Sequence, residues 1–181
     1  MADNYDLIRN RDFTDKADQT PVVIYISDAS VRGSGYSTIM RYTCESIVQS
    51  HNHKVIVLGL DYYGEEHWNS FTIVPVISFS AIQDMVFQIV SYRVPVECIV
   101  IALDITMQEV LIPRIREKVG YDIPIISVFP IESGPLIAKW AMVLMQSNER
   151  VVMSEFGKQA LLNSGSDGHH IPFGIDFSDG S

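Results

Sequence analysis

The chain of 181 residues is poor in cysteine, in basic side chains and in long apolar runs, and each shortage excludes a class of protein. Two cysteines cannot build the disulfide framework of a small secreted domain. Cys44 falls in a helical pattern and Cys98 in an apolar strand pattern, so both read as buried thiols, and a reducing, cytoplasmic setting is expected. Against 22 acidic residues stand only 13 lysines and arginines, for a formal net charge of −9. That balance repels phosphate backbones and anionic lipid, so no nucleic-acid partner is expected. No apolar run reaches the roughly 18 residues of a membrane span, and residues 1–20 lack the charged-then-apolar layout of a signal peptide. No integral membrane segment is expected. The five histidines have no partners at metal-ligand spacing: His51 and His53 flank a helix end, His67 sits alone in a loop, and His169 and His170 open a short strand. No metal site is expected.

What is abundant is apolar sequence, 47% of the chain, enough for one sizeable core and too little length for two typical domains. Residues 1–20 carry scattered charge and weak periodicity, and read as a polar arm. From Pro21 strands and helices alternate. Val22 to Ile26 is a short continuous β-branched run, the mark of a strand covered on both faces. Ile39, Thr43 and Ile47 then make one helical row, with Met40, Cys44 and Val48 beside it. Further strands are predicted at residues 54–60, 71–77, 98–103, 123–129, 151–153 and 170–173. Capping-box spacing places helix starts at Ser80 with Gln83 and at Thr106 with Glu109; Pro113 should kink the second of these helices and Gly120 should end it. Two more helices are predicted over residues 136–145 and 156–163. This alternation predicts an α/β fold: a Rossmann-like, doubly wound, mainly parallel sheet with helices on both faces, spanning residues 21–176.

Ligands of such sheets bind beyond the carboxyl ends of the strands. Asp28, Asp61, Asp104, Glu132, Ser154, Glu155 and Asp176 all follow strands and share that rim, although each alone also fits a helix cap or a solvated loop. The loop from Asp28 to Ser37 contains Gly33, Ser34, Gly35 and Tyr36 ahead of a helix whose free amides suit an anion. A dinucleotide fingerprint needs a third glycine where Thr38 stands, and no Gly-Lys-Ser/Thr follows to make a P-loop. The same loop equally reads as a turn and helix start, capped by Ser34 or Ser37. The aromatic loop containing Tyr62, Tyr63 and Trp68 offers stacking surfaces, or simply a cover for the core.

Three segments resemble the N-terminal, acceptor-side half of GT-B glycosyltransferases, family 4 in particular. They are the glycine loop at Gly33 and Gly35, Ser154-Glu155-Phe156 at a strand-to-helix turn, and Pro172-Phe173-Gly174-Ile175-Asp176 at the exit. The segment from Ser127 to Pro135 resembles the Phe-Pro-Ile-Glu-x-Gly-Pro form of some relatives, with Pro130 where many members have a histidine and Phe173 where a polar residue is usual. The resemblance implies transfer of a sugar from a nucleotide-diphosphate sugar to an acceptor hydroxyl, with retention. No cofactor would be needed beyond that donor. Glu132 and Asp104 become catalytic candidates; Gly33, Ser34, Gly35 and Tyr36 become a donor-phosphate loop; Ser154, Glu155, Gly174 and Asp176 become the cleft rim. Residues 177–181 would begin a linker to a C-terminal donor-binding domain, and the chain alone would be inactive.

The competing expectation is a non-catalytic Rossmann-like domain that binds a ligand or regulates. A nucleotide-dependent oxidoreductase ranks last, because Thr38 breaks the glycine fingerprint.

Overall fold

The computed structural model describes residues 19–30, 32–64 and 70–172. Most of the polar arm, His67, Trp68 and the exit residues Gly174 and Asp176 lie outside them. The elements follow in the order β1 (Val22–Asp28), α1 (Gly35–His51), β2 (Lys54–Leu60), β3 (Thr72–Val76), α2 (Phe79–Ser91), β4 (Val96–Ala102), α3 (Ile105–Val119), β5 (Ile125–Phe129), α4 (Ala138–Leu144), β6 (Glu149–Val152), α5 (Glu155–Asn163) and β7 (His169–His170). The seven strands form one sheet in the order β3-β2-β1-β4-β5-β6-β7, and every pairing is parallel.

The unbroken apolar strands are explained by cover on both faces. Ile24, Ile26, Ile56, Leu58, Ile99 and Ile101 point to one side and pack with Ile82, Val86 and Ile89 of α2 and Leu111, Ile112 and Ile115 of α3. Their neighbours Val23, Tyr25, Val55, Val57 and Ala102 point to the other and meet Met40 and Cys44 of α1. A third cluster seats Phe129 and Val152 against Leu144 of α4 and Leu161 of α5. Each fully buried isoleucine or leucine contributes roughly 1.5–3 kcal/mol, set against the entropy lost on ordering it. The fold is therefore the doubly wound α/β architecture that the alternation predicts. Among the described residues no helix is long and apolar enough to cross a membrane.

Helix starts differ from their predicted positions. α2 begins at Phe79 behind Ser78, and α3 at Ile105 behind Asp104, so Ser80 and Thr106 lie inside their helices. Ile105 belongs to the core beside Phe129, and that burial draws the helix start ahead of the capping-box spacing. Glu109, assigned to a cap, instead accepts a hydrogen bond from Trp140 Nε1 at 2.7 Å and pairs with Lys139. α3 runs uninterrupted through Pro113, because Leu111, Ile112 and Ile115 around it are completely buried. Their burial outweighs the ~3 kcal/mol that an internal proline costs. Gly120 ends the helix at φ 70°.

Candidate functional site

The connections after β1 and β4, neighbouring strands at the centre of the sheet, leave in opposite directions, and this opens a crevice at the carboxyl edge. Three side chains border it. Asp28 ends β1, Asp104 stands at the N-cap position of α3 just after β4 without a side-chain capping bond, and Tyr36 projects from the first turn of α1. The Tyr36 hydroxyl donates to Asp104 Oδ1 at 2.8 Å across the crevice. Burial, followed by that hydrogen bond and the negative charges of Asp104 and Glu132, pushes the phenol well above the ordinary tyrosine range. Tyr36 is thus a fixed donor and not a base.

From this bridge a cavity of about 510 Å³ extends over the ends of β2 and β3. Leu60, Val76, Leu103, Phe79 and Met107 supply apolar surface, and Tyr62 and Tyr63 supply two further rings. Asp28, Asp61 and Asp104 line it as well. Each carboxylate has one oxygen engaged locally. Asp28 Oδ1 accepts from the Ser30 amide at 2.8 Å, Asp61 Oδ1 from the Tyr63 hydroxyl at 3.0 Å, and Asp104 Oδ1 from Tyr36. No lysine, arginine or histidine lines the cavity among the described residues. Under it, β2 passes so close to its neighbours that a Cβ on Gly59 would stand 2.8 Å from Ala29 Cβ and from Ile73 Cγ2.

The glycine loop is organised around the start of α1. Ser34 is the N-cap of α1, and its hydroxyl accepts from the Ser37 amide at 3.0 Å while Ser37 Oγ accepts from the Ser34 amide at 2.8 Å. This reciprocal box occupies two of the amides an anion would need. Gly33 takes φ 78°, a conformation that favours glycine, and of the four loop residues singled out from sequence only Tyr36 lines the cavity.

The remaining predicted site residues spread along the rim. Asp104 is at the cavity; Glu132 is exposed and does not line it, although its charge is felt by Tyr36. Ser154 caps α5, its hydroxyl accepting from the Gly157 amide at 3.0 Å, and Glu155 pairs with His170 Nδ1 at 2.7 Å. These belong to the β6–β7 end of the sheet. Sequence reasoning missed Val76, Ser78 and Phe79, since β3 and α2 read there as core; the usable signal was that β3 ends on the same rim as β1 and β2. Neither cysteine is an activated nucleophile. Burial pushes both thiols up, Cys98 to about 11 and Cys44 beyond it. Among the described residues no group of three or more His, Cys, Asp or Glu is placed to hold a metal ion.

No family profile and no curated protein matches the chain. Among solved structures it resembles the GsuK channel at 17% identity and a TM-score of 0.44, covering 87% of this chain and 22% of that one. It resembles the RCK domain of GsuK at 18% identity and a TM-score of 0.41, covering 87% and 26%, and the NAD-bound GsuK channel at 18% and 0.44, covering 87% and 22%. The chain thus spans about a quarter of the length of these structures. At such identity the likeness concerns the fold alone. The glycosyltransferase expectation is corrected here: these three structures are a channel and its RCK domain, and none is a glycosyltransferase. With it fall the transferase activity, the sugar acceptor and the nucleotide-sugar donor as partners.

Proposed function

We propose that this is a non-catalytic Rossmann-like domain that binds a small organic ligand, with occupancy and not turnover as its output. The observation that carries this reading is the cavity at the carboxyl ends of β1 to β4, of a volume within the range of small-molecule sites and mixing apolar walls with a few polar groups. A ligand there would touch four strand ends and the first turns of three helices. Chemistry is poorly provided for. Tyr36 is held protonated, neither thiol lines the cavity, and Glu132 stands outside it. Two free thiols, Cys44 and Cys98, fit a reducing, cytoplasmic setting.

The test is a broad panel of nucleosides, nucleotides, amino acids, polyamines and polyols, screened by thermal shift and followed by amide chemical-shift mapping. At a hundred times its Kd a ligand stabilises by about 2.7 kcal/mol, or about 5–10 °C for a chain of this size. Saturable binding that perturbs Asp61, Tyr62 and Ser78, with the ligand recovered unchanged, is the expected result. A panel with no binder, or a ligand recovered chemically altered, overturns the proposal.

A further inference from the structure

We infer that the cavity is built for an unphosphorylated nucleoside-like molecule, a flat ring carrying a vicinal diol, and that it discriminates against the corresponding nucleotides. This rests on the ligand-binding reading above and narrows it to one chemical class.

The inference starts from the hydrogen-bonding inventory. With Oδ1 occupied on Asp28 and Asp61, each carboxylate presents its second oxygen as an acceptor, at the ends of the adjacent strands β1 and β2. Two neighbouring acceptors and no cation among the described lining residues match hydroxyl donors, not anions. Asp61 is exposed and keeps its hydration, so a neutral partner does not strand a buried charge. Leu60, Val76, Phe79 and Met107 line the same cavity and provide the apolar contact that a planar ring requires.

Phosphate meets obstacles from two directions. Three carboxylates border the space and repel it. The helix start that receives a diphosphate in dinucleotide-binding folds is also altered. The Ser34–Ser37 box occupies two amides, Thr38 stands in place of the third glycine, and Tyr36, the loop residue that lines the cavity, is hydrogen-bonded to Asp104. The space left, about 510 Å³, has no basic side chain among its described lining residues to hold a phosphate.

Four probes test this on the 181-residue chain by calorimetry: adenosine, 2′,3′-dideoxyadenosine, ADP and NAD. Adenosine should bind saturably, dideoxyadenosine at least tenfold more weakly, and ADP and NAD at least tenfold more weakly than adenosine. Asp61→Asn, which retains a side chain tolerant of the left-handed backbone at φ 57°, should weaken adenosine at least tenfold and narrow its advantage over ADP. ADP or NAD binding more tightly than adenosine overturns the inference, as does equal binding of the dideoxy compound or no binding of adenosine. If a polyamine or amino acid from the wider panel fills the cavity instead, the inference falls while the ligand-binding reading stands. If nothing binds, both fall.

Discussion

Tyr36 and Asp104, 68 positions apart in sequence, are joined by a 2.8 Å hydrogen bond that ties the first turn of α1 to the cap of α3. The bond spans the crevice opened by the reversal of strand order at β1 and β4, and it makes one wall of the cavity from two helix starts.

That bond predicts an alkaline weak point. The folded-state pKa values of Tyr36 and of the buried Tyr25 are both raised, chiefly by burial. An acid shifted upward on folding adds stability that is fully present below its unfolded value, about 10 for tyrosine, and lost as pH rises through the folded value. Stability should therefore begin to fall above about pH 8.5, where the raised thiols of Cys44 and Cys98 start to count, and fall more steeply above about pH 10. Circular dichroism between pH 9 and 12 reads the loss, and Tyr36→Phe should move the midpoint upward by removing one of these groups. An unchanged midpoint would remove Tyr36 from the alkaline transition and leave it to the buried Tyr25 and the thiols.

At the opposite edge of the sheet His53 donates from Nδ1 to the His51 carbonyl at 2.7 Å and from Nε2 to Glu97. The Glu97 hydrogen bond is the largest cause of a raised His53 pKa. Its stabilisation is complete below the ordinary histidine value of about 6.5 and disappears as pH rises through the raised one. Glu97→Gln should cost a few tenths to about 1 kcal/mol in the acidic part of that window and nothing at higher pH. Urea unfolding from pH 5.5 to 8.5 measures it; a cost that does not vary with pH would sink the assignment.

Gln108 is fully buried on α3, and its amide nitrogen reaches the carbonyls of Ile101 at 3.2 Å, Leu103 at 2.8 Å and Val128 at 2.9 Å. It holds the ends of β4 and β5 together just below Asp104. Gln108→Leu removes the donor from buried carbonyls and should cost about 2–3 kcal/mol, lowering the melting temperature by about 5–10 °C. Gln108→Glu should be worse at neutral pH and partly recover on acidification, because an ionised carboxylate has no hydrogen to offer those carbonyls. Calorimetry distinguishes the two variants.

Gly59 supports the cavity floor through close packing. A Cβ there would also stand 3.2 Å from Tyr62 Cβ, beyond the two 2.8 Å contacts with Ala29 and Ile73. Gly59→Ala should destabilise by about 1–3 kcal/mol through overpacking and weaken any cavity ligand by displacing Tyr62. Denaturant melts and a ligand titration on the same variant report the two effects. Stability near that of the parent would show that Ala29 and Ile73 yield more than their burial suggests.

Helix and strand positions were legible in sequence wherever periodicity carried them. Val22 to Ile26 and Lys54 to Leu60 read as buried strands because continuous β-branched and apolar runs have few other uses. Helix starts at Ser80 and Thr106 were misplaced because capping-box spacing is local, whereas Phe79 and Ile105 enter their helices for contacts made elsewhere in the chain. The terminal motifs at Ser154-Glu155-Phe156 resemble a glycosyltransferase pattern, yet short cap sequences recur wherever a strand turns into a helix, and no comparison supports the activity they implied.

Apolar patterning alone was enough for the layer order and the doubly wound sheet, since burial on two faces leaves a periodic record along each strand and helix. It was also enough to put Asp28, Asp61, Asp104 and Glu155 after the carboxyl ends of parallel strands. Which of them share a cavity was decided only by the strand order, which places Asp28, Asp61 and Asp104 around one space and leaves Glu132 outside it. The reason is physical. Periodicity records whether a side chain is buried, while its neighbours across the sheet depend on pairings between residues far apart in the chain, such as Tyr36 with Asp104.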